Sequence, residues 1–174
     1  MVSKFNTIIE TNRLLLRPFT MDDVEASYQM NLDPEVSRYT GDGGVVDIFE
    51  MRNRIKDVIE GDYAKYGFGR FVVEWKETNE FIGFSGLKFL PDYDFVDLGY
   101  RFLQRFWGKG IATEAANASL DFAFQELKLN KVHAFAIREN QASTHVIDKL
   151  GFSFEKEIVD DGIKFDQYVI HSKH

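Results

Sequence analysis

Between an alternating, strand-like segment and a run with helical spacing lies Trp107-Gly108-Lys109-Gly110-Ile111-Ala112-Thr113. Of all the stretches in the chain, its residue types suggest chemistry most directly. Glycines at such a junction let several backbone N–H groups converge on one point, and the start of the following helix adds partial positive charge. That geometry suits a phosphate or pyrophosphate, although a tight structural turn leaves the same GxG signature. The stretch lacks the G-K-[ST] ending of a Walker loop and the GxGxxG spacing of a dinucleotide fold. Other chemistries are poorly supported. Gly83-Phe84-Ser85-Gly86 does not have the spacing of a G-x-S-x-G elbow, which argues against a serine hydrolase. There is no Cys, so disulfides, thiolate metal sites and a cysteine nucleophile are excluded. His133 alternates within a strand and reads as a core histidine; His145 reads as solvated, and His171 and His174 stand near the C-terminus. No HExxH or comparable ligand spacing points to a metal.

The elements that must position this loop follow from periodicity. Arg13 to Phe19 reads as a first strand. Thr20 with Asp23 resembles a capping box for a helix from Met21 to Leu32, carrying Val24, Tyr28 and Leu32 at four-residue steps. Pro34 and the glycines of Thr40 to Gly44 mark irregular chain. Ile48, Met51, Ile55 and Val58 give a second helix, expected to stop at Gly61. The period then becomes two: Phe71 to Lys76 and Phe81 to Phe89 form a hairpin, and Phe95 to Phe102 is a further strand with Asp97, Gly99 and Arg101 opposite Val96, Leu98, Tyr100 and Phe102. A long helix with Ile111, Ala115, Ala118 and Phe122 on one stripe follows the glycines. Then come a strand (Lys131 to Ile137), a helix (Gln141 to Leu150) and a closing pair of strands (Phe152 to Ile158, Ile163 to Ile170). The strand–helix–strand unit from Phe95 to Ile137 requires parallel strands and a right-handed crossover, while the hairpins make the remainder antiparallel. The expectation is a mixed, mostly antiparallel seven-stranded α/β sheet flanked by helices.

Composition bounds the rest. The 174 residues, 44% hydrophobic with seventeen Phe, are enough for one domain spanning 1–174 with a full core. A net charge of −7 disfavours a broad grip on nucleic-acid backbone. The opening residues do not read as a signal peptide, and no apolar run approaches the roughly 20 residues of a membrane span. A cytoplasmic protein with no membrane or nucleic-acid partner is expected.

Four ordered motifs give the chain a resemblance to the GNAT acyl-CoA N-acetyltransferase superfamily, nearest the branch typified by ribosomal-protein alanine and serine N-acetyltransferases. They are Glu10-Thr11-Asn12-Arg13-Leu14 to Arg17, Asp97-Leu98-Gly99-Tyr100, Trp107 to Ala115, and Asn140 to Ser143 with Lys149-Leu150-Gly151-Phe152. The resemblance covers about residues 10 to 171 and implies acetyl-CoA as co-substrate, with no metal. The family's pyrophosphate loop, Q/R-x-x-G-x-G/A, aligns from Trp107 through Gly110 to Ala112; a literal reading from Arg105 through Gly108 to Gly110 leaves the helix two residues out of step. In the first register the backbone of Gly108, Lys109, Gly110, Ile111, Ala112 and Thr113 holds the pyrophosphate. Phe102 and Leu103 lie where the strand meets the pantetheine arm, and the Phe102 N–H polarises the acetyl carbonyl. The resemblance further implies that Asn140 binds the pantetheine or its attached groups and that Ser143 lies near the sulfur. Many members carry a Tyr seven residues after this Asn as the acid for the leaving thiolate. Here Ile147 stands there, which makes Ser143 the candidate acid, with water as the alternative.

Asp97 occupies the place where the family often has a strand Glu acting as base through water; the alternative is a carboxylate merely paired with a neighbour such as Arg101. The need for a base depends on the acceptor. An α-amine with a pKa near 8 is roughly 10% neutral at pH 7, whereas a lysine is below about 0.1%. The resulting expectation is an acetyl-CoA-dependent N-acetyltransferase acting on a primary amine by direct attack in a ternary complex. A protein or peptide α-amine stands first; a small amine (polyamine, amino acid or aminoglycoside) and a non-catalytic CoA-binding module are the alternatives. The sequence leaves the oligomeric state open, a homodimer included.

Overall fold

The computed structural model describes residues 5–40 and 47–173. Most of the irregular segment expected from Thr40 to Gly44 therefore lies outside the described residues. The sheet comprises β1 (Ile9–Glu10), β2 (Leu14–Pro18), β3 (Arg70–Trp75), β4 (Glu80–Leu90), β5 (Phe95–Phe102), β6 (Lys131–Ala136), β7 (Ser153–Asp160) and β8 (Ile163–His171). Their spatial order is β1-β2-β3-β4-β5-β6-β8-β7. Every neighbouring pair is antiparallel except β5 with β6, the pair for which the crossover helix requires parallel strands. The expected seven strands become eight because Ile9 and Glu10 pair with Leu16 and Leu15. Two residues are too few to leave a period in the sequence.

The helices are α1 (Val24–Leu32), α2 (Pro34–Ser37), α3 (Ile48–Lys56), α4 (Ala64–Tyr66), α5 (Ile111–Asp121) and α6 (Gln141–Leu150). Ahead of α1, Met21–Asp23 form a 3₁₀ turn in which the Thr20 N–H donates to Asp23 Oδ2 at 2.8 Å, as the capping box demands. The second helix does not stop at Gly61. It continues from α3 through a π-type turn, Asp57–Tyr63, into α4 and ends at Gly67, whose φ of 76° closes it in the left-handed region. Tertiary contacts override the glycine: Tyr63 is buried, and its hydroxyl accepts from the Phe19 N–H and donates to the Arg70 carbonyl.

Alternation along the strands divides the core into two layers. Phe71 and Val73 of β3, with Val96, Leu98 and Phe102 of β5, join Ile111 and Ala115 of α5 and Ile147 of α6 in the larger cluster. Val72, pointing the other way, packs with Phe19, Val24, Met51, Ile55 and Tyr63. Small residues (Ala115, Ala116, Ala118 and Ser119) line the buried stripe of α5 and let it lie close on the sheet. Ser119 Oγ is 3.1 Å from Ser85 Oγ, so the Ser85 hydroxyl is a satisfied core group.

One irregularity of the sheet prepares the site. β4 stays paired with β5 along its full length, from Leu90↔Phe95 to Gly83↔Phe102. Among the described residues, β5 and β6 share only the Asp97↔His133 position. Beyond it the two strands diverge, and the sheet opens into a wedge.

Candidate active site

Hydrogen-bond parity shows what the wedge contains. The Leu103 N–H donates to the Ile82 carbonyl at 2.9 Å, so odd-numbered residues of β5 turn their backbone toward β4. Leu98, Tyr100 and Phe102 turn theirs the other way, toward β6. Among the described residues β6 pairs with β5 at no position past Asp97↔His133, which leaves the N–H groups of Tyr100 and Phe102 facing the wedge. An extended, amide-bearing chain can add there as a strand would. The Phe102 carbonyl is taken by the Trp107 indole N–H at 2.9 Å, which folds the half-exposed Trp107 back over the strand end. Leu103 has both backbone groups engaged, its N–H with Ile82 and its carbonyl with the Phe106 N–H, and can offer only its side chain.

The glycine stretch lies at the mouth of the wedge. Gly108 and Gly110 have φ of 73° and 75°, values that other residues adopt only under strain. Gly110 caps α5 without a side chain, and Ile111 is buried beneath the first turn. The N–H groups of Ile111, Ala112 and Thr113 have no acceptor within the helix and, with the helix dipole, favour an anion. The register from Trp107 puts Gly110 at this cap. Arg105 of the alternative register is held in a two-point pair with Glu80.

Behind the loop stands an arrangement that spacing did not reveal. Glu114 accepts from Thr11 Oγ1 at 2.6 Å, the Arg13 backbone N–H at 3.0 Å and Arg13 Nε at 2.7 Å. Arg13 also donates to the Lys109 carbonyl at 2.9 Å. Burial pushes the Glu114 carboxyl up, but these hydrogen bonds outweigh it and hold it below the ordinary carboxylate range. The segment before β2 thus braces the glycine loop. Its signal was present in the motif containing Thr11 and Arg13, without any indication of what it touches.

On the other limb, the Asn140 carboxamide oxygen caps α6 by accepting from the Ser143 N–H at 3.2 Å. Ser143 Oγ lies 3.1 Å from the Tyr100 hydroxyl, so a contact across the wedge joins β5 to α6. Ile147 is buried in the core, away from any role as a donor.

Asp97, Gly99 and Arg101 face α1 and α3. Asp97 is buried and pairs with Arg70 at 3.0 Å, whereas Arg101, the neighbour named as an alternative partner, donates to Asn31 Oδ1 at 2.6 Å. Gly99 leaves room for the Arg70 guanidinium in this position, since a Cβ would lie 2.4 Å from it and push the arginine off Asp97. Burial pushes the Asp97 carboxyl up to about 6, with Arg70 and then Lys88 opposing the rise. Arg70 and Arg101 both lie over the Phe84 ring, at 5.4 and 5.5 Å, and Lys88 pairs with Asp62 at 2.9 Å. Among the described residues no group of three or more acidic or histidine side chains could hold a metal, and no helix is long and apolar enough to cross a membrane.

Comparison with known proteins places this geometry. The model of an acetyltransferase (GNAT) domain matches residues 13–153. An uncharacterised N-acetyltransferase, p20, of Bacillus licheniformis is 33% identical over 149 residues, covering 84% of this chain and 82% of the relative. Spermidine N(1)-acetyltransferase of Escherichia coli K12 is 28% identical over 157 residues, covering 88% and 80%. The ribosomal-protein-S5-alanine acetyltransferase of Vibrio fischeri, 20% identical, shares the fold with a TM-score of 0.77 over 97% of this chain and 98% of its own. An opened β5–β6 pair and a glycine-capped helix start with free N–H groups accompany a domain match over most of the length: the chain belongs to the GNAT family and is an N-acetyltransferase.

Proposed function

We propose that the chain moves the acetyl group of acetyl-CoA to a primary α-amine of a protein or peptide, by direct attack in a ternary complex. The observation that carries the reading is the unpaired stretch of β5. Its outward amides end at the glycine cap of α5, so a pantetheine arm can lie along the strand while its pyrophosphate meets the amides of Ile111 to Thr113. The Phe102 N–H then donates to the acetyl oxygen as negative charge develops on it. Ser143 protonates the departing sulfur, and Asp97 takes the amine proton through an ordered water. A carboxyl poised near 6 is ionised at neutral pH, as that role requires. Direct attack needs no covalent enzyme, consistent with the lack of Cys.

A small amine is the second reading, favoured by the similarity to a spermidine acetyltransferase. Charge weighs against a polyamine. On the sheet face that bears Asp97, the carboxylates of Asp62 and Asp97 are already matched by Lys88 and Arg70, and Arg101 lies beside them. A polycation gains from surplus negative charge, which these described residues do not supply.

Thiol release from acetyl-CoA decides between the readings. Peptides with a free N-terminal Ala or Ser should support turnover, and the same peptides blocked at the N-terminus but carrying an internal Lys should not. Turnover with spermidine alone would move the acceptor to the second reading. Tight CoA binding without turnover across the panel would make the chain a binding module.

A further inference from the structure

Tyr100 sits on a face that is otherwise a core stripe: Val96, Leu98 and Phe102 share it and are buried and apolar. Packing alone would be met by Phe at this position. The phenol instead reaches across the open wedge to α6, with its oxygen 3.1 Å from Ser143 Oγ and 3.4 Å from the Ser143 carbonyl. The two residues are 43 apart in sequence and belong to opposite limbs of the site. Ser143 is held in place from the other side by the Asn140 cap. An aliphatic hydroxyl is a poor acid, and a phenol is far stronger. A serine that must give up a proton is better served when a phenol stands behind it.

Taking Ser143 as the group that faces the departing sulfur, a premise that rests on the proposed function, we propose that Tyr100 is its proton source and positioning residue. Breakage of the carbon–sulfur bond leaves the electron pair on sulfur. Sulfur takes the Ser143 hydroxyl proton, Ser143 Oγ takes the phenolic proton of Tyr100, and the phenolate regains a proton from solvent. The amine's proton leaves separately on the Asp97 side, so the sum is one acetyl transferred and one thiol formed. Burial pushes the Tyr100 hydroxyl up, with the Ser143 hydrogen bond opposing, so the phenol is protonated in the resting site and has a proton to give as the carbon–sulfur bond breaks.

The test needs no acceptor. CoA itself is bound to the protein, and ionisation of its thiol is followed by thiolate ultraviolet absorbance across pH. Hydrogen bonds donated to the thiolate make the bound thiol ionise at lower pH than free CoA. Tyr100→Phe should move that ionisation up by about one pH unit, near the value of one hydrogen bond. Ser143→Ala should move it as far or further, and the double variant should go no further than Ser143→Ala, because the phenol acts only through the serine. CoA affinity should change less than about twofold, since the pyrophosphate amides are untouched. Replacing Tyr100 with 3-fluorotyrosine preserves packing and strengthens the acid, and should move the ionisation further down. A Tyr100→Phe protein that binds CoA with an unmoved thiol titration overturns the relay, as does a fluorotyrosine protein indistinguishable from wild type. A wild-type protein that binds no CoA would overturn the reading of the whole site, a result distinct from either.

Discussion

On one face of β5, Leu98, Tyr100 and Phe102 look toward α5 and α6; on the other, Asp97, Gly99 and Arg101 look toward α1 and α3. The first face carries the proposed donor site, assembled largely from backbone: wedge-facing amides of β5, a glycine cap and the first turn of α5. The second, the proposed acceptor face, is assembled from side chains that meet between separate elements, Arg70 with Asp97, Lys88 with Asp62 and Arg101 with Asn31. Backbone groups are the same in every sequence, so they suit a co-substrate common to a family. Side-chain pairs can be exchanged one at a time, which suits an acceptor that differs between relatives.

The largest effect is expected where the two limbs of the wedge meet. Ser143→Ala should lower kcat by about 100-fold while CoA affinity holds, the usual value of a general acid. A loss below about threefold, with chemistry shown to be rate-limiting, would hand the thiolate to water and leave the donor side with no side chain in its chemistry. Next comes the backbone itself. Gly110→Val forces a β-branched residue to a φ of 75°, although its Cβ would meet nothing closer than Arg13 at 3.7 Å. Strain of about 2 kcal/mol at the cap should weaken CoA binding roughly 30-fold by calorimetry. A folded variant with unchanged affinity would break the assignment of the donor side to these amides.

These two faces also differ in how much of them the sequence disclosed. The glycine loop and the motif from Asn140 to Ser143 lie within short windows, and a resemblance built on such windows reaches them, although the capping role of Asn140 emerged only in the structure. The bounds of β5 and α6, where the period is clean, lie within such windows too. Residues in contact across the fold have no such window. Arg70 and Asp97 are 27 residues apart, and Arg101 and Asn31 are 70 apart. The partner that the sequence offered as the alternative role for Asp97 was accordingly a near neighbour, Arg101, and not Arg70, which pairs with it. Tyr100 was legible as a core residue from its alternation, but its hydroxyl contact with Ser143 depends on the angle at which β5 and β6 part. The helix that runs through Gly61 failed locally for a similar reason, because buried Tyr63 fixes it by contacts with Phe19 and Arg70.

Asp97→Asn tests the acceptor face, with an expected loss of about tenfold at pH 7 for an α-amine that is roughly 10% neutral there. Wild-type kcat/KM should rise through pH 6 as the carboxyl ionises, whereas the variant should rise only near the amine's own pKa. Stability carries a separate signature. The folded-state value of about 6 lies above the ordinary 3.8, so the native state binds the proton more tightly in that window. Wild-type stability relative to Asp97→Asn should therefore fall as pH rises through that interval and level off above it. If the stability difference follows this course while the rate profile stays in place, Asp97 is only the partner of Arg70. The acceptor face would then lose its base.

The smallest effect is expected from Glu114→Ala, and it sharpens the contrast because Glu114 is the donor side's own long-range contact. Its carboxylate receives Thr11 and Arg13 from 101 to 103 residues away, and Arg13 reaches on to the Lys109 carbonyl inside the glycine stretch. Removing it leaves Arg13 without its ion partner in a half-buried place and should cost about 1–2 kcal/mol of stability, seen as a lower Tm. If the brace holds the loop in its binding shape, CoA affinity should also fall, by about threefold, since the amides themselves remain. Glu114→Gln, which can still accept from Thr11 and the Arg13 backbone, should recover most of the affinity and less of the stability. A stability loss with CoA affinity unchanged would show that the loop keeps its shape unaided. The donor side would then rest on local backbone alone, and the two faces of β5 would differ even more than they now do.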